Sequence, residues 1–138
     1  MDSRYSEDKP PPAVREFKEE IRKADAVLFA TPEYNRSISA LLKNAIEWGN
    51  RPDNSWDGKP PARVSASTGL RGGVRSQMQL RQILVDLNIY AMTGPELFVG
   101  MARDAFDNNL RLKDEGTKKT LRALLENLVE WTAIVQAR

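Results

Sequence analysis

Asp25-Ala26-Val27-Leu28-Phe29-Ala30-Thr31-Pro32-Glu33-Tyr34-Asn35 opens with an unbroken apolar run, Ala26 to Ala30, and breaks at Pro32 into a polar turn. A run this short, containing Val and Phe and ended by proline, reads as a strand buried on both faces. The Thr-Pro-Glu-Tyr-Asn turn then hangs at the strand's carboxyl end, where open α/β sheets place their ligands.

The flanking segments fit around that strand. Upstream, Met1 to Pro12 is polar and ends in Pro10-Pro11-Pro12, a rigid lead-in to a helix. Ala13 to Ala24 carries Val14, Phe17, Ile21 and Ala24 on one face, with Arg15, Glu16, Lys18, Glu19, Arg22 and Lys23 elsewhere. That is the pattern of a helix lying on a sheet. Downstream, Ser37 or Ser39 caps a helix to about Trp48, apolar at Ile38, Leu41, Leu42, Ala45 and Ile46, with Gly49 as its C-cap. Asn50 to Pro61 is a loop in which Trp56 plugs a gap.

Ala62 to Ser67 is a strand of small residues that runs into Thr68-Gly69-Leu70-Arg71-Gly72-Gly73 and a helix from about Val74 to Leu87. Two readings of this glycine-rich turn stand: an anion or dipole site at a helix start, or glycines that permit tight packing. Ile89 to Met92 continues as strand, and Gly94-Pro95 interrupts it before Glu96 to Val99. Arg103 to Lys113 is a surface excursion holding Phe106 and Leu110. Asp114 caps a final helix to about Gln136, with Leu121, Leu124, Leu125, Leu128, Trp131 and Val135 on one stripe.

Helices alternating with strands define a single α/β domain over residues 1–138 with a parallel sheet. Both polar turns, Pro32 to Asn35 and Ser67 to Gly73, follow strands and are therefore expected side by side at one edge of the sheet.

Composition narrows the chemistry. The chain of 138 residues contains no cysteine and no histidine, which removes thiol chemistry, disulfides, and the usual general base and metal ligand. A net charge of +2 with interspersed signs gives no basic stripe for nucleic acid. Nothing in the sequence reads as a signal peptide or membrane span, so a cytoplasmic protein is expected.

Thr31-Pro32-Glu33-Tyr34-Asn35-Arg36-Ser37-Ile38, then Leu42-Lys43-Asn44-Ala45-Ile46-Glu47-Trp48, then Ser65-Ala66-Ser67 through Gly72-Gly73, resemble the NADPH-dependent FMN reductases. These are flavodoxin-like enzymes that include chromate, quinone and azo-dye reductases. The resemblance implies that Pro32, Glu33, Tyr34 and Asn35 line one side of an FMN ring and Ser67, Gly69, Gly72 and Gly73 the other. A branched side chain at Gly72 is expected to fill the space beside that ring. It implies NADPH as hydride donor, a quinone, metal oxyanion or similar acceptor, and a homodimer or homotetramer. The positive start of the Val74 helix is expected to stabilise the negative charge of reduced flavin. Arg36 and Arg71 are candidates to steer the NADPH phosphates.

The chain departs from the family in lacking the first strand, the phosphate-binding loop, a helix and the second strand, so about three strands are expected. Losing two or three charge-assisted hydrogen bonds, each about 1.5–3 kcal/mol, is expected to weaken FMN by a factor of about a thousand or more. The alternative is a flavin-free, flavodoxin-like remnant that acts by associating with another chain.

Overall fold

The computed structural model describes residues 9–137. The expected Met1 to Pro12 arm lies mostly outside them. In chain order the elements are α1 (Pro12–Lys23), β1 (Val27–Thr31), α2 (Ala40–Asn50), β2 (Pro61–Ala66), α3 (Val74–Asp86), β3 (Leu97–Val99), α4 (Ala102–Ala105) and α5 (Glu115–Gln136). The strands form one parallel sheet in the order β1-β2-β3. Val27 pairs with Pro61 and Thr31 with Ser65, while Val64 pairs with Leu97 and Ala66 with Val99. The expected strand at Ile89 to Met92 does not form; residues 89–96 run as irregular chain and only Leu97–Val99 joins the sheet. Ile89 and Met92 are nonetheless buried, so their apolar character reports packing rather than pairing.

Alternation along the strands sends side chains to two cores. Phe29 joins Ile21, Ile38, Ile46, Trp56, Leu80 and Leu84 on the side of α1, α2 and α3. Ala62, Leu97 and Val99 join Leu124 and Leu128 on the α5 side, with Val64, Ala66, Phe106 and Leu112 packed against them. The segment read as a surface excursion therefore contributes Phe106 and Leu112 to this second core, bridged to each other, while Leu110 stays exposed. Leu80, Leu84 and Leu124 are fully buried, and truncating any of them to Ala costs about 2–5 kcal/mol.

Four local features are decided here, the first as one of the two expected alternatives and the other three as changes. Of Ser37 and Ser39, Ser39 caps α2 by accepting from Leu42 N–H at 3.2 Å. Gly49 lies inside α2 rather than at its C-cap, which is Arg51. A Cβ at Gly49 would overlap the Trp56 indole, which is buried and donates from Nε1 to the Ile46 carbonyl at 3.0 Å. Trp56 plugs the gap expected of it, and the missing side chain at Gly49 makes that gap. Lys18 is buried, not solvated: its ammonium donates to the Arg51 carbonyl at 2.7 Å, the Asp53 carbonyl at 2.7 Å and Asp53 Oδ1 at 2.9 Å. Three acceptors satisfy all three protons of the ammonium.

The fourth is the central run. β1 is not buried on both faces: Phe29 and Thr31 are buried, whereas Leu28 and Ala30 are exposed, Leu28 at 43%. Among the described residues β1 pairs only with β2, and its other edge has no strand partner among them. Val27 N–H donates to the Pro60 carbonyl at 3.1 Å. Because direction alternates along a strand, the Leu28 and Ala30 N–H groups point to that other edge.

Two predictions follow from these contacts. In a dilute, monomeric sample, amide exchange at Leu28 and Ala30 is expected to be fast while Val27, Phe29 and Thr31 are protected; equal protection at all five would show the edge is covered. The hydrogen bond from Lys18, more than any other cause, holds the Asp53 carboxyl below its ordinary value. A depressed carboxyl contributes stability that is present above the unfolded value and lost as pH falls through the folded one. Denaturant titrations should show stability falling below about pH 4, and Asp53→Asn should flatten that acid limb.

Candidate functional site

The parallel register places Thr31 beside Ser65, so the turns that leave the two strands start as neighbours. In the first turn Tyr34 and Ser37 exchange two backbone hydrogen bonds, each 2.9 Å. Asn35 and Arg36 between them have φ of 48° and 69°. Two successive positive φ values are the signature of a tight hairpin turn, which asparagine tolerates well. The Tyr34 side chain stands out at the tip, 61% exposed, and is not a packed core aromatic.

The second turn is built on buried polar groups. Ser65 Oγ donates to the Gly72 carbonyl at 2.6 Å and accepts from Gln77 Nε2 at 2.8 Å. The same nitrogen donates to the Leu97 carbonyl at 2.7 Å, so Gln77 of α3 ties β2 to β3 beneath the glycines. Ser67 Oγ accepts from Gly69 N–H at 3.2 Å. Gly72 and Gly73 have φ of 59° and 85°. A Cβ at Gly72 would sit 2.7 Å from the Phe98 carbonyl carbon, and one at Gly73 would sit 2.8 Å from Ser65 Cβ. Of the two readings of these glycines, tight packing holds at both positions. Gly69 differs, since its Cβ would meet only Ser67 Oγ at 3.7 Å.

Glu33 joins the turns. Its Oε2 accepts from the Arg75 N–H at 3.1 Å, and its Oε1 accepts from Arg75 Nε at 2.7 Å and Nη2 at 2.7 Å. The Glu33 side chain is only 9% exposed. The carboxylate thus occupies the anion-favouring start of α3 and forks onto a guanidinium at once. Sequence reading left this helix start open for a ligand; the protein fills part of it with its own acid.

Glu33, Ser67, Gly69 and Gly73, all expected at the site, line one cavity of about 340 Å³ together with Leu70, Arg71 and Arg75. That volume lies within the roughly 300–1,000 Å³ of small-molecule sites. Pro32 lines a separate, apolar cavity of about 460 Å³ on the α5 side, with Val64, Ala66, Leu97, Val99 and Phe106. Tyr34 and Asn35 are exposed at the turn tip, and Gly72 is buried; none of the three lines either cavity. Arg75 is the residue sequence reading missed. Its signal was its place in the first turn of a helix opened by a glycine pair.

The lining leaves room for a small ring and offers it backbone and both signs of charge. Gly69 leaves a wall of the cavity bare although the protein's own packing does not require glycine there. The N–H groups of Leu70 and Arg71, both lining residues, make no backbone hydrogen bond among the described residues. Also among the described residues, no group of three or more acidic side chains is arranged to hold a metal, and no helix is long and apolar enough to cross a membrane.

Parallel strands feeding two neighbouring turns at one sheet edge define a flavodoxin-like α/β domain. The flavoenzyme FerB of Paracoccus denitrificans, an NAD(P)H:(acceptor) oxidoreductase, has the same fold, with a TM-score of 0.83 at 36% identity over 94% of this chain and 74% of its own. The chain belongs to the NADPH-dependent FMN reductase family, whose profile matches residues 2–104. It is 46% identical to an NAD(P)H-dependent FMN reductase of Pseudomonas aeruginosa, over 88% of this chain and 66% of the relative. It is 43% identical to a quinone reductase of Pseudomonas putida, over 96% of this chain and 74% of the relative. The chain thus spans about two thirds to three quarters of these curated relatives.

The two kinds of glycine make opposite predictions. Gly72→Val is expected to destabilise the fold by about 2–4 kcal/mol, from overpacking against β3 and an unfavourable left-handed backbone. Gly69→Ala should stay within about 0.5 kcal/mol of the parent. Urea denaturation of both variants checks the difference.

Proposed function

We propose that the chain carries the ring-facing part of an NAD(P)H-dependent flavin oxidoreductase, which passes electrons from NADPH through FMN to a quinone, metal oxyanion or similar acceptor. One observation carries this reading: the turns after β1 and β2, bolted together by Glu33 and Arg75, line a cavity where Gly69 leaves a bare wall and the Leu70 and Arg71 N–H groups have no backbone partner among the described residues. The printed activities of the relatives accord with it.

Bound FMN supplies the acceptor and donor of hydride equivalents. The chain supplies shape and dipoles. Gly69 would let backbone approach the ring, and the Leu70 and Arg71 N–H groups would be donors to its polar edge. Ser67 shapes the turn through its bond to Gly69, while Gly72 and Gly73 hold the loop on β2 and β3. By the family resemblance Pro32, Tyr34 and Asn35 would flank the other side of the ring, outside the cavity that Glu33, Ser67, Gly69 and Gly73 line. Arg36 and Arg71, one in each turn, meet the phosphates of NADPH. No side-chain acid, base or nucleophile is required, which reconciles a chain free of histidine and cysteine with a redox activity. We further read the protein as cytoplasmic and as a homodimer or homotetramer, with exposed Leu41 and Met78 on α2 and α3 offering apolar surface to a second copy.

The test is NADPH oxidation in the presence of FMN and a quinone, expected to follow ping-pong kinetics. Gly69→Val should raise the FMN concentration needed for half-maximal rate at least about tenfold, because its side chain enters the cavity, and should leave the unfolding midpoint nearly unchanged. No turnover at saturating FMN in a folded sample would overturn the assignment.

A further inference from the structure

We infer that Glu33 and Arg75 form a positioning pair that sets the charge of the cavity wall and so the balance between oxidised and reduced flavin, an inference that rests on the proposed flavin site. Both side chains line the cavity, and the carboxylate is almost wholly withdrawn from water. Each Glu33 oxygen is held: Oε2 by the Arg75 N–H, and Oε1 by Nε and Nη2 of the same residue. The first turn of α3 is a place that attracts negative charge, through helix dipole and open N–H groups. A carboxylate fixed there cancels much of the field that would otherwise favour an anionic ligand, and the guanidinium restores part of it.

Accepting a hydride, two electrons and one proton, leaves the neutral ring with one negative charge. Glu33 therefore disfavours the reduced form and Arg75 favours it, while the intact pair is nearly neutral toward both. A brace that only held the two turns together would act on both redox forms alike. Opposite signs from the two partners are what distinguish a charge-setting role, and they hold wherever in the cavity the ring lies.

The experiment measures dissociation constants of FMN in its oxidised and dithionite-reduced forms by anaerobic absorbance and fluorescence titration. It compares the parent chain with Glu33→Gln, Arg75→Gln, Arg75→Lys and the double Gln variant, with circular dichroism confirming folding. Glu33→Gln is expected to shift the ratio of the two constants about tenfold toward tighter reduced flavin, and Arg75→Gln by a similar factor the other way. The double variant should return to within about threefold of the parent, and Arg75→Lys should keep the parental ratio because it keeps the charge. If Glu33→Gln does not fold, Arg75→Gln against Arg75→Lys decides alone. FMN bound by all variants with unchanged ratios, or with ratios moved in one direction, would overturn the inference. A folded parent chain that binds neither form would instead remove the flavin reading beneath it.

Discussion

Everything at the candidate site depends on the parallel register that sets Thr31 against Ser65. A parallel pair needs a long crossover between its strands, here α2 and the loop holding Trp56, and so both strands release their turns at the same edge. With the turn origins fixed as neighbours, Glu33 can reach the start of α3 across 42 positions of sequence and close a fork on Arg75. Remove the register and the two turns have no common cavity.

The rest of the domain serves to hold that register. On one side, Trp56 fills the space left by Gly49 and rests on Phe29 with ring centroids 5.5 Å apart. The crossover loop is thus pinned both to the helix it follows and to the strand it must flank. Lys18 pins the same loop from α1 by spending all its protons on Arg51 and Asp53. On the other side, α5 covers β2 and β3 through Leu124 and Leu128 but leaves Leu28 and Ala30 of β1 exposed. The sheet is therefore best buttressed where the glycine-rich turn leaves it, and least covered along β1.

The proposed chemistry suits this economy of functional groups. A chain without histidine or cysteine can host electron transfer when the reactive atoms belong to a flavin and the protein contributes backbone donors, a flat wall and a controlled charge. The glycines divide that labour: Gly72 and Gly73 let the turn pack on its own sheet, and Gly69 keeps the cavity open.

The sequence by itself determined the parallel α/β order, the two turns and their common edge, the capping of α5 by Asp114, and the membership suggested by Pro32 to Asn35 and Gly69 to Gly73. These follow from local signals: apolar period, proline and glycine punctuation, and a short motif. Only the tertiary structure decided that Lys18 is buried and the Glu33 carboxylate largely covered, that Gly49 serves Trp56, that Ile89 to Met92 packs without pairing, and that Arg75 lines the candidate site. In each case the partner lies far away in sequence or the neighbour's shape is the deciding fact. Covering one partner of an ion pair is invisible to a pattern in which every charged residue reads as solvated, because only folding brings the opposite charge within hydrogen-bonding distance.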